Sequence, residues 1–245
     1  MSQWLFDLGN TRLKFAPLAD GRAGPAQVWA HQDQQRPLPE PAQLPAGECA
    51  WVASVADPVL RDGLIERLGA RFARVEVAAS RARCGRLRSG YAEPARLGVD
   101  RFLALLACAA QPRDCLVVGV GTALTVDLLD RSGQHHGGLI APSPTSMRQA
   151  MHLRARHLPA EGGTPSLFAD NTADALQGGV VGAALGLVER SLSQGEARLG
   201  RRPALVVHGG GAPPLLAQLG DVDHIPGLVL DGLAQWALLQ PAASR

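Results

Sequence analysis

A hairpin is predicted by the stretch Asp7-Leu8-Gly9-Asn10-Thr11-Arg12-Leu13-Lys14, which carries a carboxylate, a Gly-Asn-Thr turn and a basic residue. Apolar residues flank the turn and predict one strand over residues 3–7 and its antiparallel partner over residues 13–18. A turn that contains glycine can present successive backbone N–H groups to an anion. The stretch therefore predicts a phosphate-binding hairpin, although an ordinary hairpin with a polar turn explains it as well.

Two side chains of this hairpin bear directly on phosphate chemistry. Lys14 is the only lysine among the 24 Lys and Arg residues of the chain, and an ammonium is a compact, strongly hydrated charge that suits a phosphate held by a turn. Asp7 would repel a phosphate unless a cation lay between them. We therefore predict that Asp7 serves Mg²⁺, with water molecules between the carboxylate and the ion.

The same pattern returns nearly half the chain later, at Gly121-Thr122-Ala123, between apolar segments predicted as strands over residues 115–120 and 124–129. A repeat of domain size predicts two similar α/β halves, residues 1–112 and 113–245, each opening with a hairpin and together forming a cleft for a small ligand. Further on, the run Gly209-Gly210-Gly211 lets backbone approach a flat group such as adenine or serves as a plain turn.

The remaining segments give weaker signals. Apolar periodicity predicts helices over residues 58–70, 100–110, 146–157, 171–199 and 227–239, the fourth of them interrupted or closely packed at Gly178-Gly179. Residues 21–47 give a poor strand or helix signal, and residues 81–97 read as a loop. The pair His135-His136 is explained better by a polar turn than by a metal site.

A second constellation is Gly98-Val99-Asp100-Arg101, just before the apolar helix. Asp is a common helix N-cap, so Asp100 can be read as a cap and Arg101 as a surface residue of the first turn. The functional interpretation makes Asp100 a general base and Arg101 a clamp for an anionic group.

Composition limits the classes of function. With 245 residues, 46% of them hydrophobic, the chain can bury a sizeable core, and its net charge of +2 gives no reason to expect a nucleic-acid partner. There is no P-loop motif, no signal-peptide pattern and no apolar run of membrane-spanning length. The four cysteines show neither metal-ligand spacing nor a disulfide framework. We therefore expect a cytoplasmic protein without a membrane partner.

Taken together, the motifs closely resemble those of the type III pantothenate kinases, a branch of the acetate and sugar kinase/Hsp70/actin superfamily. The matching segments occur in the family's order and span most of the chain: DLGNTRLK (7–14), YAEPARLGVDR (91–101), GTALTVD (121–127), GGLIAP (137–142) and NTADALQGG (171–179). The resemblance implies two RNase H-like (actin-like ATPase) domains with an interdomain cleft, a homodimer, and ATP-dependent phosphorylation of pantothenate at its primary hydroxyl, the first step of coenzyme A synthesis.

The resemblance also implies roles for individual positions. The hairpin from Asp7 to Lys14 (Asp7, Leu8, Gly9, Asn10, Thr11, Arg12, Leu13, Lys14) and Thr122 would bind ATP, and Asp100 would be the catalytic base. The positions that would bind pantothenate are Tyr91, Gly98, Val99, Asp100 and Arg101, with Thr172 reaching the substrate from the partner subunit.

Two positions depart from the family pattern. The family's second hairpin has aspartate where this chain has Gly119, and that aspartate is associated with a monovalent cation, K⁺ or NH₄⁺. The resemblance implies a monovalent cation as a cofactor, but Gly119 supplies no carboxylate, so for this chain the requirement is an open question or is met by other oxygens. The family also has glycine at the position of Ser143, so we expect that turn to differ locally.

Two alternatives remain at the level of sequence. One is a related kinase for a sugar or another small hydroxy acid, since the fold alone does not fix the acceptor. The other is a transcription-accessory protein similar to the Bvg accessory factors, against which the intact catalytic residues argue.

Overall fold

The computed structural model describes residues 2–31 and 37–240, and these form two α/β units. One unit contains the chain up to Gln111 together with the segment from Gly227 onward, and the other is Pro112–Pro226. The internal repeat in the sequence predicts a boundary between residues 1–112 and 113–245. The structure instead groups the segment from Gly227 with the first unit, while residues 241–245 lie outside the described part.

The first unit is built on one large sheet, flanked by helices. With elements numbered along the chain, it contains β1 (Gln3–Leu8), β2 (Arg12–Ala19), β3 (Arg22–Ala23), β4 (Gln27–Ala30), β5 (Gly47–Ser54), α1 (Pro58–Gly69), β6 (Phe72–Val77), β7 (Arg83–Cys84), β8 (Leu87–Arg88), α2 (Val99–Ala109) and α6 (Leu228–Leu238). The order in the sheet is β3-β2-β1-β5-β6, with β4 also pairing with β2. Strands β1 and β2 are antiparallel, whereas β1, β5 and β6 run parallel.

Both faces of this sheet are covered, because its central strands carry apolar side chains on both sides. On one face, Phe6 stacks on Phe15 and meets Phe72 edge-on, in a core completed by Leu64 and Leu68 of α1. On the other face, Trp51 contacts Trp236 of α6 with ring centroids 5.8 Å apart.

Helix α6 packs tightly on α2, which explains why it belongs to the first unit. A Cβ atom added to Gly232 of α6 would lie 1.9 Å from the carbonyl oxygen of Leu103 in α2. Only glycine permits so close an approach of the two backbones. Helix α2, which carries Asp100, is therefore held in place by the end of the chain.

The second unit has the same strand connectivity as the first. It contains β9 (Cys115–Val120), β10 (Ala123–Leu129), β11 (His135–Pro142), α3 (Pro144–Arg154), α4 (Thr172–Leu199), β12 (Ala204–His208), α5 (Pro213–Leu216) and β13 (Asp223–His224). Its sheet has the order β11-β10-β9-β12-β13, in which the first three strands are antiparallel and β9, β12 and β13 are parallel. Two sheets of matching topology agree with the internal repeat, and the predicted α/β fold of two actin-like halves is confirmed.

Several local expectations are corrected. The segment 21–47, of which residues 32–36 lie outside the described part, contains β3 and β4, and the segment 81–97 contains the hairpin of β7 and β8. These strands span only two to four residues, too few to produce a periodic pattern. At Gly178 the second of the two predicted alternatives holds: helix α4 is continuous, and the chain packs so closely that an added Cβ would lie 2.0 Å from the carbonyl oxygen of Ser166.

Two polar positions singled out in the sequence have defined structural roles. His135 is no turn residue: it begins β11, is buried, and pairs through Nε2 with the buried carboxylate of Asp127 at 2.9 Å. Ser143 has an ordinary φ of −69° and caps α3, because its side chain accepts a hydrogen bond from the backbone N–H of Ser146. At this turn serine therefore needs no left-handed backbone.

Candidate active site

The first hairpin places its carboxylate and its ammonium side by side. Asp7 and Lys14 are directly opposite each other in the register of β1 and β2. The turn between them closes by a hydrogen bond from the N–H of Gly9 to the carbonyl of Arg12, with an N···O distance of 3.0 Å. Asn10 is exposed at the tip, so the backbone of the turn is open to a ligand.

The predicted ATP-binding residues of this hairpin divide into two groups. Leu8 and Leu13 have fully buried side chains that belong to the core, so they can reach a nucleotide only through their backbone. Arg12 is exposed, whereas Thr11 and Lys14 are partly exposed.

His31 contacts the backbone of the first hairpin's turn, and the sequence does not predict this role. Its Nε2 lies 3.1 Å from the carbonyl oxygen of Gly9, and its backbone N–H donates to the carbonyl of Thr11 at 3.1 Å. The side chain is buried. Because His31 and Gly9 are 22 residues apart in the sequence, no local sequence pattern predicts their contact.

The electrostatics of the hairpin bring Asp100 into the same site. The pKa of Asp7 is raised from its ordinary 3.8 to about 6, mainly because the carboxyl group is buried; the charge of Lys14 lowers it and the Asp100 carboxylate raises it. Two carboxylates that repel each other in a poorly solvated place attract a cation. The donor set therefore fits Mg²⁺ bound mainly by nucleotide phosphates and reached by Asp7 through water.

Asp100 is not the cap of α2. Gly98 is the N-cap residue, and Asp100 lies in the first turn, where its Oδ1 accepts a hydrogen bond from the backbone N–H of Arg101 at 2.8 Å. A Cβ atom added to Gly98 would lie 2.8 Å from the same oxygen, so the Asp100 carboxylate packs directly against the glycine. Any larger residue at position 98 would displace it.

Arg101 is not a surface residue, because only 5% of its surface is exposed. Its Nη1 donates to the phenolic oxygen of Tyr91 at 2.9 Å, and its guanidinium carbon lies 5.6 Å from the centre of the Tyr91 ring. The hydrogen bond and the cation–π contact together fix the orientation of the guanidinium. Asp7, Lys14, Asp100, Arg101 and Tyr91 all lie in the first unit.

Two further predicted site residues, Thr122 and Thr172, lie in the second unit. Thr122 is exposed at the turn of the second hairpin, where its carbonyl accepts a hydrogen bond from the Ser146 hydroxyl at 2.6 Å. Thr172 is exposed at the first position of α4, after the N-cap Asn171.

The Gly-rich run after β12 packs against the second hairpin. Gly209 has a φ of +97°, and an added Cβ would lie 2.3 Å from the carbonyl oxygen of Val120. The N–H of Gly211 donates to that same oxygen at 3.0 Å. These glycines are therefore required for packing beside the second turn.

The residues around Gly119 do not fit a bound monovalent cation. Gly119 brings no carboxylate to the second hairpin, and the volume beside it is filled by the side chains of Thr125 and His208. Among residues 2–31 and 37–240, no group of three or more His, Cys, Asp and Glu side chains is arranged to hold a metal ion. In the same ranges, no helix is both long enough and apolar enough to cross a membrane.

Solved structures with a similar fold define the class of protein. The chain matches a protein described as a Baf family transcriptional activator from Campylobacter jejuni (TM-score 0.64, 20% identity, 96% of this chain and 97% of that one covered). It also matches a protein described as a 2-dehydro-3-deoxygalactonokinase from Sinorhizobium meliloti (TM-score 0.60, 15% identity, 99% and 98% covered). At these identities the likeness shows only that this chain shares the fold of those two proteins.

Sequence comparison identifies the family. A sequence model of the type III pantothenate kinases matches residues 4–194. The chain is 57% identical to a type III pantothenate kinase of Stenotrophomonas maltophilia R551-3 over 242 residues, which cover 99% of this chain and all of that one. It is 53% identical to one of Xanthomonas euvesicatoria over 237 residues, covering 97% and 98%. The chain belongs to the type III pantothenate kinase family.

Proposed function

We propose that this chain transfers the γ-phosphoryl group of ATP to the primary hydroxyl of pantothenate, the first step of coenzyme A synthesis in the cytoplasm. Its family membership over nearly full length supports the reaction. The structural observation that carries the proposal is the meeting of Asp7, Lys14 and Asp100 in one poorly solvated place, where the pKa of Asp7 responds to both of the others.

The first hairpin would hold the phosphates. Phosphoryl transfer requires mainly positioning and neutralisation of charge, with little covalent work by the protein. The open backbone of the turn and the ammonium of Lys14 would provide both, and Thr122 of the second hairpin is proposed to bind ATP as well. When bound, Mg²⁺ would neutralise negative charge on the phosphates, and Asp7 would orient it through water.

Asp100 would act as the general base and accept the proton of the pantothenate hydroxyl. The hydrogen bond from the Arg101 backbone to Oδ1 fixes the plane of the carboxylate. The position near the N-terminus of α2 stabilises the negative charge until the proton is transferred.

Arg101 and Tyr91 would recognise pantothenate. The buried guanidinium is oriented by the phenol and can donate to the oxygen-rich part of the substrate. Gly98 and Val99 would line the same site beside the base.

A homodimer is supported by apolar side chains left exposed on the second unit. They lie on β11, on α3 and in the loop that follows: Leu139, Ile140, Met151, Leu153, Leu167 and Phe168, the last with 97% of its surface exposed. Exposed apolar clusters mark association surfaces. Thr172 lies four residues beyond Phe168, so a partner bound at this surface would approach the residue expected to complete its site.

The test measures ADP release coupled to formation of phosphopantothenate. We expect activity with pantothenate and not with sugars, and we expect Asp100→Asn to lower turnover by about two to four orders of magnitude while ATP binding persists. Arg96→Gln, which changes an exposed side chain in the same unit, is the matched control. Turnover of a sugar instead of pantothenate would refute the substrate assignment, and near-normal turnover by Asp100→Asn would refute the role of the base.

A further inference from the structure

Three residues of the second unit form a row across its sheet. Thr125 of β10 and His208 of β12 are the register partners of Gly119 in β9, one on each side. In a sheet, register partners direct their side chains to the same face. Gly119, at the centre of this row, lies two residues before Gly121, where the predicted phosphate-binding turn of the second hairpin begins.

The two flanking side chains converge on the missing Cβ of Gly119. An added Cβ would lie 2.7 Å from Thr125 Oγ1, 2.9 Å from His208 Nε2 and 3.1 Å from His208 Cε1. The first two distances are shorter than real Cβ contacts. The imidazole therefore lies across the bare backbone of Gly119, and the volume that a side chain at this position would use is already filled.

The face of β10 that carries Thr125 has one further acidic residue, and that residue is already paired with a histidine. The next acidic residue on this face of β10 is Asp127, and its Oδ1 is engaged by the buried His135 at 2.9 Å. A cation placed beside Gly119 would instead face an imidazole and a single hydroxyl. That donor set is poor for an alkali ion, which prefers a shell of several oxygens.

We propose that the second hairpin of this chain works without a monovalent cation, because the imidazole of His208 occupies the place beside Gly119. The proposal rests on the proposed kinase function only in naming the nucleotide as the ligand of the hairpin. His208 acts here as a positioning residue: its ring extends from β12 over Gly119 toward Thr125 of β10 and packs on the end of β9 before the turn.

The first measurement is the dissociation constant of a non-hydrolysable ATP analogue with Mg²⁺, obtained by calorimetry in KCl, NH₄Cl and choline chloride of equal ionic strength. We expect the three constants to agree within about twofold. Binding about tenfold tighter in KCl or NH₄Cl than in choline chloride would overturn the proposal. This readout does not depend on catalysis, so absence of ADP release with pantothenate would refute the proposed function separately.

The second measurement tests the steric relation by a double-mutant cycle on the melting temperature, Tm. We expect Gly119→Asp to lower Tm by roughly 2–12 °C, as overpacking does, and His208→Ala in the same chain to recover most of that loss. Gly119→Ala replaces Gly119→Asp in the cycle if the latter fails to fold. His224→Ala, an exposed histidine of β13 in the same unit, is the matched control and should recover nothing. Additive effects of Gly119 and His208 substitutions would overturn the placement of the imidazole.

Discussion

Replacing Asp7 with asparagine should stabilise the protein at neutral pH while damaging its function. The folded protein holds the proton of Asp7 more tightly than the unfolded chain does, since the pKa rises from 3.8 to about 6. Ionisation of Asp7 therefore costs stability, and the free energy of unfolding falls as the pH rises through the window between those values. At 1.36 kcal/mol per pH unit, the full cost above pH 6 is about 3 kcal/mol. Asparagine is neutral at every pH and avoids this cost.

The assay is thermal unfolding of Asp7→Asn and wild type between pH 4 and pH 8. At roughly 2–4 °C per kcal/mol for a chain of this size, the variant should gain roughly 6–12 °C over wild type at pH 8 relative to the difference at pH 4. Asp20→Asn, an exposed carboxylate just beyond β2, is the control and should show no such trend. If the difference in Tm between variant and wild type stays constant from pH 4 to pH 8, the pKa of Asp7 is not raised in the folded protein. The stabilised variant should also bind Mg²⁺-ATP more weakly, as expected where function keeps an unfavourable charge in place.

Three further predictions concern the phosphates, the substrate and the dimer. Lys14→Ala should weaken ATP use much more than pantothenate binding, measured as separate KM values, and Lys14→Arg should not fully restore it; a fully active Lys14→Arg enzyme would show that any cation suffices. Tyr91→Phe removes one hydrogen bond from Arg101, worth about 1 kcal/mol, and should raise the KM for pantothenate about fivefold with the KM for ATP unchanged; equal changes in both would argue against a substrate site here. Phe168→Ser should shift a dimer toward monomer in sedimentation, whereas Val59→Ser, which changes an apolar side chain that is 83% exposed in the first unit, should not; an unchanged dimer would place the interface elsewhere.

Local patterns in the sequence predicted the parts of the site that depend on neighbouring residues. The hairpin from Asp7 to Lys14 follows from apolar flanks and a Gly-Asn-Thr turn, and the placement of Asp100 and Arg101 at the start of a helix follows from the apolar run behind them. The structure reproduces both, with Gly98 rather than Asp100 as the cap. The chemical roles of these residues came from the family resemblance and remain proposals.

What the sequence could not predict depends on residues distant along the chain. His31 contacts the turn of the first hairpin from 22 residues away along the chain. The pair His135-His136 has the pattern of a polar turn, but His135 is buried and its side chain is hydrogen-bonded to the carboxylate of Asp127. The burial of Arg101 likewise depends on the surrounding fold, and a lone arginine in a helical turn gives no sign of it. The contact of the His208 ring with Gly119 depends on the pairing of β12 with β9, which the sequence alone does not predict.

The packing of α6 on α2 has a consequence for the order in which the protein can fold as it is synthesised. The second unit is one continuous segment, so all of its strands are available once residue 226 has been made. The first unit begins earlier but lacks the helix that covers α2 until α6 has left the ribosome. The packing of the helix that carries Asp100 is thus completed last, and a nascent chain holds a finished second unit before it holds a finished first one.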